Sequence, residues 1–174
     1  LSLVGVFLSF FCYFSASDII AFMFGPQWTA SVPYFEMLAL AVWSQLQLTS
    51  TGSIFQSAGS TKKLFISGSI NTVITAIAIL AGVFNDNLWE VSRNVMIAFN
   101  IEFFISMYLL IHQCLGQPYL AFLKNFLPEI ILALLLCIGG FSIQAYLPNQ
   151  VILSLFLRFI VFAILFMVFC RIFH

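Results

Sequence analysis

Six apolar stretches dominate the sequence and restrict the folds that are open to it. A helix needs about 20 apolar residues to cross the roughly 30 Å hydrocarbon core of a bilayer. Each stretch reaches that length, and glycine or proline stands at nearly every boundary, as is usual where helices end. The stretches lack the alternation of apolar and polar residues that a membrane β-barrel requires. The sequence therefore predicts an all-α integral membrane protein with six transmembrane helices, at residues 1–24, 34–58, 64–84, 94–115, 127–147 and 151–173.

Composition excludes several other classes of protein. Of the 174 residues, 63% are hydrophobic and only 7% are charged, whereas about 25% of residues are charged in a soluble domain. Six basic and six acidic residues give a net charge of zero. These values exclude a basic nucleic-acid-binding protein and a disordered tail. The chain begins inside an apolar run and without methionine, so we expect it to be the C-terminal part of a longer protein.

Basic residues predict the orientation of the helices in the membrane. Lys62 and Lys63 follow the second predicted span, Lys124 follows the fourth, and Arg171 closes the sixth. The opposite set of loops contains one basic residue, Arg93. Because basic loops stay in the cytoplasm, this bias predicts that both ends of the chain are cytoplasmic. We expect a multi-pass protein of the cytoplasmic membrane.

Motifs for catalysis and for cofactor binding are absent from the sequence. It contains no phosphate-binding loop, no dinucleotide fingerprint, no nucleophile elbow and no zinc-protease motif. Four cysteines are scattered singly through apolar segments without metal-binding spacing, and they are predicted to be buried free thiols. We therefore expect no enzymatic activity, no cofactor and no metal site. The cysteines are Cys12, Cys114, Cys137 and Cys170.

The second predicted span is unusually polar for a membrane helix. Gln45, Thr49, Ser53 and Gln56 recur at spacings of four, four and three residues, so they share one helix face. Unsatisfied polar groups are costly in lipid, so this face should line a water-filled cavity or contact other helices. The two interpretations are a substrate pathway and a packing seam held by hydrogen bonds. The length of the face slightly favours the pathway.

Small residues on the third predicted span favour close helix packing. They are Gly68, Thr72, Thr75, Ala76 and Gly82, with Asn71 beside them.

Two ionisable residues fall well inside predicted spans and are candidates for function. Counted along their helices, Glu102 and Arg158 lie at matching depth and have opposite charge. They are interpreted either as a structural ion pair or as groups that contact an ionic substrate or a coupling proton. Asp18 is expected to be solvated near the outer interface. Glu36 and Glu129 fall in the first turns of their spans, where a carboxylate favours the positive end of the helix.

A specific likeness covers residues 15–70. Residues 18–28 read DIIAFMFGPQW, residues 38–40 read LAL, and residues 52–63 read GSIFQSAGSTKK. These segments resemble the polysaccharide transporter family of lipid-linked oligosaccharide flippases, within the multidrug/oligosaccharidyl-lipid/polysaccharide exporter superfamily. The remaining spans resemble that family only in number and orientation.

The resemblance implies a fold and a function. The fold would have twelve to fourteen helices in two six-helix lobes around a cavity, and this chain would supply the last six helices, in the C-terminal lobe. The function would be secondary transport, in which undecaprenyl-diphosphate-linked repeat units for O-antigen, exopolysaccharide or capsule synthesis are flipped by alternating access. The expected partners are the lipid-linked oligosaccharide, membrane lipid, and a coupling proton or sodium ion. The resemblance supplies no binding residues, so the candidate pathway residues remain Gln45, Thr49, Ser53, Gln56, Arg158 and Glu102.

Three other functions stay open at this point. A multidrug cation exporter of the same superfamily needs acidic and aromatic residues in its pocket, whereas the polar face here is rich in amides and hydroxyls. A membrane polysaccharide enzyme needs a cluster of charged residues in a sizeable loop, and the loops here are short. A membrane scaffold without transport activity leaves the polarity of the second span unexplained.

Overall fold

The computed structural model describes residues 1–84, 86–144, 148 and 150–173, and within these ranges the chain forms helices and no β-strand. The α-helices are α1 (Ser2–Phe14), α2 (Ala16–Met23), α3 (Val32–Ala39), α4 (Val42–Ser57), α5 (Thr61–Val83), α6 (Leu88–Tyr108), α7 (Tyr119–Lys124), α8 (Leu127–Gln144) and α9 (Val151–Phe173). A 3₁₀ helix, Pro26–Ser31, follows α2, and a π-helical turn, Leu109–Cys114, continues α6.

Within the described residues, four helical segments are long and apolar enough to cross a membrane, which indicates a multi-pass membrane protein. They are Thr61–Val83, Leu88–Cys114, Phe122–Gln144 and Val151–Ile172. They correspond to the third to sixth predicted spans. Residues 145–147, at the end of the fifth predicted span, lie outside the described residues.

The first two predicted spans are interrupted. The first is divided at Ser15 into α1 and α2, which are bent by 75° relative to each other. The second is divided at Leu40 and Ala41 into α3 and α4, of 8 and 16 residues, each shorter than a full span. The described chain thus has four long apolar helices, or five if the bent pair crosses as one unit. Six spans and a lobe of an exporter remain predictions.

Two apolar clusters hold the described helices together. One cluster joins α1, α8 and α9 through Val6, Leu132, Leu136, Phe162 and Phe169. The other joins α4 to α6 and its π-helical end through Phe55, Phe103, Met107, Leu109 and Leu110. Many large apolar side chains on α5, α8 and α9 point outward instead, as expected for helix faces in contact with lipid.

Glycines end three of the helices, as the sequence predicts. Gly25, Gly59 and Gly116 have φ angles of +88°, +66° and +66°, in the region that side chains with a Cβ atom rarely adopt. Each terminates a helical segment by turning the chain out of the helix.

Candidate functional site

The polar face of α4 is largely free of contacts with other helices. Thr49, Ser53 and Gln56 are exposed, and Gln45 is half-buried. The Thr49 hydroxyl donates to the Leu46 carbonyl at 2.7 Å, and the Ser53 hydroxyl donates to the Ser50 carbonyl at 2.9 Å. Both bonds stay within α4, a pattern common for hydroxyl side chains in helices. In the described part of the chain, these hydroxyls therefore do not form the interhelical hydrogen bonds that a packing seam would use.

An open groove of about 310 Å³ lies beside this face, between α3, α4 and α6. Gln45 and Thr49 line it together with apolar residues, among them Leu46 and Phe99. The Gln45 Nε2 atom is buried and has no hydrogen-bond partner among the described residues. Buried amides nearly always have a partner, so this donor is a polar group whose hydrogen bond the described residues do not supply. The groove thus combines an apolar wall with one unsatisfied polar group.

Arg158 is paired with Asp18, so the interpretation of Glu102 and Arg158 as a structural ion pair is wrong. The Arg158 Nη2 and Asp18 Oδ2 atoms are 3.7 Å apart, and the Ser154 hydroxyl donates to the same Asp18 oxygen at 2.7 Å. The Asp18 side chain is only 15% exposed, so it is not the solvated residue that the sequence predicts. The bend at Ser15 is the physical reason for the difference, since α2 packs against α9.

The position of Glu102 along its helix also differs from the prediction. The span that contains it begins at Leu88 rather than at residue 94, and it ends at Cys114. Glu102 is therefore fourteen residues from one end and twelve from the other, near mid-span. It is 4% exposed and accepts a hydrogen bond from the Thr75 hydroxyl of α5.

A small polar pocket of about 130 Å³ adjoins Arg158. The Arg158 Nε atom is buried and lacks a partner among the described residues. Residues of α1, α2, α3, α8 and α9 line this pocket. They provide several hydrogen-bond donors and one carboxyl group. Its lining residues are Tyr13, Phe14, Ser17, Glu36, Phe141, Gln144 and Arg158.

A third polar region is the α5–α6 interface. The hydroxyls of Ser67 and Ser106 are 2.9 Å apart, and the Asn71 amide donates to the Ser106 hydroxyl at 3.1 Å. Thr75 and Glu102 lie one helical turn farther along. Packing by small residues is confirmed at Gly82, where α6 approaches closely, but Gly68 faces open space.

The six candidate residues are therefore distributed over three places. Gln45 and Thr49 line the groove, and Ser53 and Gln56 continue along the exposed face of α4. Arg158 lies in the pocket beside the bent helix pair, and Glu102 lies in the α5–α6 interface. Sequence reasoning missed Asp18 as the partner of Arg158; the polar run at residues 15–18 was the available signal. Within the described ranges, no group of three His, Cys, Asp or Glu side chains could hold a metal ion.

Comparison with known proteins identifies no relative. No family model matches the chain, and neither a curated protein nor a solved structure is detectably similar to it. The likeness to polysaccharide flippases therefore rests on the sequence segments alone.

Proposed function

We propose that this chain belongs to a secondary transporter that flips undecaprenyl-diphosphate-linked oligosaccharides across the cytoplasmic membrane. It would supply six helices of the C-terminal lobe, with both ends cytoplasmic. The observation that supports the proposal best is the exposed polar face of α4 beside the open groove. Such a face is costly against lipid, so it needs water or a polar ligand.

The chemistry of the face suits a sugar. Amide and hydroxyl groups offer neutral donors and acceptors, and a glycan carries many hydroxyl groups that need both. The unsatisfied Gln45 Nε2 atom supplies a donor without breaking an existing bond. The apolar wall formed by Leu46 and Phe99 supplies contact area for the faces of sugar rings.

Arg158 is the candidate contact for the diphosphate. A guanidinium group binds phosphate through charge-assisted hydrogen bonds, and its Nε atom is unsatisfied here. Tyr13, Ser17 and Gln144 add donors to the same pocket. An ionised Glu36 in this pocket would repel an anion, and Asp18 already pairs with Arg158. The contact therefore requires Glu36 to carry a proton and the diphosphate to share the guanidinium with Asp18.

A different cavity favours a second candidate function, the export of lipophilic cations. It measures about 260 Å³, lies between α1, the start of α4 and the start of α8, and is lined by Phe10, Trp43, Phe126 and Glu129 among others. One Glu129 oxygen accepts from Ser2, while Oε2 is buried without a partner among the described residues. Aromatic rings beside an unsatisfied carboxylate suit a cation with an apolar body.

Leucine substitutions on α4 test the leading proposal in the full-length protein. Gln45→Leu and Gln56→Leu should lower export about tenfold or more, equivalent to about 1.4 kcal/mol or more of lost stabilisation. Lipid-linked repeat units should accumulate on the cytoplasmic leaflet while surface polysaccharide falls. Protein abundance should be unchanged for Gln45→Leu, because it removes an unsatisfied amide.

Gln47→Leu is the matched control, because Gln47 lies on another face of α4 and donates to the Trp43 carbonyl of the same helix at 3.4 Å. It should leave export unchanged. Normal export by both Gln45→Leu and Gln56→Leu would show that the face is not a pathway. Loss of lipophilic-cation export in Glu129→Gln, with normal polysaccharide, would favour the second candidate instead.

A further inference from the structure

Glu102 is a carboxyl group in the interior of the helix assembly with neutral neighbours. It lies near the middle of a 27-residue apolar segment and is 4% exposed. Its hydrogen-bond partner is the Thr75 hydroxyl, which donates to Oε1. One turn away, the polar groups are again neutral: the Ser106 hydroxyl and the Asn71 amide, with the Ser67 hydroxyl a further turn along α5. These five residues on α5 and α6 are called the polar seam below.

Charged groups on the elements packed against Glu102 are distant along the chain or already engaged. On α6 the nearest cation is Arg93, nine residues away or about 14 Å along the helix, and its guanidinium lies over the Trp89 ring at 5.2 Å. On α5, Lys63 is twelve residues before Thr75 and donates to the Gln113 carbonyl. Besides Glu102, the titratable residues on α3, on α5, and on α6 with its π-helical end are Tyr34, Glu36, Lys62, Lys63, Glu90, Arg93, Tyr108, His112 and Cys114, and α4 has none.

An ionised carboxylate in this position would be a buried charge that no cation of the described residues offsets. Carboxylates in membrane segments pair with cations, face water or lose their charge. Among the described residues, Arg158, the one basic residue deep within a span, is paired with Asp18 on the other side of the fold. The hydroxyl of Thr75 stabilises either form of the carboxyl group, but it does not neutralise a charge.

We propose that the polar seam is a proton-binding site in which Glu102 is the group that carries the proton. Binding forms an O–H bond at Glu102 Oε2 while Oε1 keeps the hydrogen bond from Thr75. Release breaks that O–H bond, transfers the proton to a water molecule and leaves the electron pair on the carboxylate, so no oxidant is needed. Asn71 and Ser106 extend the seam by one turn toward the start of α5, and Ser67 extends it by two.

Infrared spectroscopy of the full-length protein in lipid bilayers tests the protonation directly. The spectrum at neutral pH should contain a carboxylic-acid carbonyl band that is missing in Glu102→Gln and retained in Glu90→Gln. Glutamine has the shape of a protonated glutamate, so the variant should fold like the parent protein. A carboxylate band in place of the acid band would overturn the proposal.

Chemical labelling gives the same information without a variant. Dicyclohexylcarbodiimide, an apolar reagent, modifies protonated carboxyl groups, and the modified residue is identified by mass spectrometry. Modification of Glu102 should fall about tenfold per pH unit above the midpoint of its titration. The yield should be equal in sodium chloride and in choline chloride. Protection by sodium would show that the seam binds that ion and would overturn the proton assignment.

A link between the seam and transport rests on the proposed function, and it can fail separately. If proton release drives export, Glu102→Gln should abolish the dependence of polysaccharide export on external pH, whereas Gln45→Leu lowers export at every pH. Unchanged export in Glu102→Gln, together with loss of the infrared band, would overturn the link and leave the proton site intact.

Discussion

At the scale of single residues, one ion pair connects distant parts of the chain. Asp18 on α2 and Arg158 on α9 are largely buried, and Ser154 holds the carboxylate from the same helix as the arginine. Removing one member of a buried pair costs about 3–5 kcal/mol, since it leaves the other charge uncompensated. The pair thus fixes the bent helix α2 against α9.

Neutralising these two charges singly and together should reveal their coupling. Asp18→Asn and Arg158→Gln should each lower the free energy of unfolding, measured in detergent micelles by thermal or denaturant titration. The double variant should be less impaired than the sum of the two, because no stranded charge remains. Combining Glu102→Gln with Arg158→Gln is the control, and its effects should add. Additive effects of Asp18→Asn and Arg158→Gln would mean that the ion pair is not formed.

Sequence reasoning did not identify this pair, for a geometric reason. Counting residues from predicted helix starts assigned Glu102 and Arg158 to one depth. The count fails because α6 begins six residues earlier than predicted, at Leu88, and it cannot represent the bend at Ser15. Polar periodicity within a single helix was more informative, since the exposed face of α4 was predicted at Thr49, Ser53 and Gln56.

At the scale of helices, α5 and α6 pack with close backbone contact at one glycine. A Cβ atom added to Gly82 would lie 2.5 Å from the Val91 Cα atom, so any side chain there must separate the two helices. Gly68, on the same helix, would place its Cβ in open space. This contrast separates the effect of packing from the intrinsic helix preference of alanine.

Alanine at these two glycines should have opposite effects. Gly68→Ala should stabilise the protein by up to about 1 kcal/mol, because alanine favours the helix. Gly82→Ala should destabilise it by about 1–3 kcal/mol, because the contact with Val91 is overpacked. Thermal unfolding of the purified variants in the same detergent measures both. Equal shifts for the two variants would contradict the close approach of α5 and α6.

Hydropathy predicted the later helices better than the first two. Residues 64–84, 94–115, 127–147 and 151–173 each correspond to a long apolar helix, because their polar residues are too few to interrupt it. The breaks at Ser15 and at Leu40 and Ala41 are not marked by glycine or proline, so the mean hydropathy of each segment does not reveal them. Ser15 and Ala41 are fully buried at these breaks, and a local sequence pattern does not encode such burial.

At the scale of the whole molecule, orientation depends on the number of crossings. Lys62 and Lys124 are separated by two long helical segments, Thr61–Val83 and Leu88–Cys114. Two crossings return the chain to the same side, so the grouping of these lysines does not depend on the first two predicted spans. The side on which Trp28 lies does depend on them, because residues 34–58 are divided between α3 and α4.

Cysteine labelling in intact cells distinguishes a crossing at residues 34–58 from a re-entrant pair of helices. In a variant without the four natural cysteines, Trp28→Cys should react with a membrane-impermeant maleimide from outside. Lys62→Cys and Lys124→Cys should react only after the membrane is permeabilised, since basic loops remain in the cytoplasm. Trp28 is 54% exposed and both lysines are exposed, so access to the introduced thiols is not limited by burial.

If position 28 reacts from the same side as position 62, then α3 and α4 enter and leave one face of the membrane, and a six-span lobe is excluded. If positions 62 and 124 react from opposite sides, either α5 or α6 does not cross the membrane. External reaction at 28 with cytoplasmic reaction at 62 and 124 requires α3 and α4 to cross together, which would place the polar face of α4 within the membrane, where an export pathway needs it.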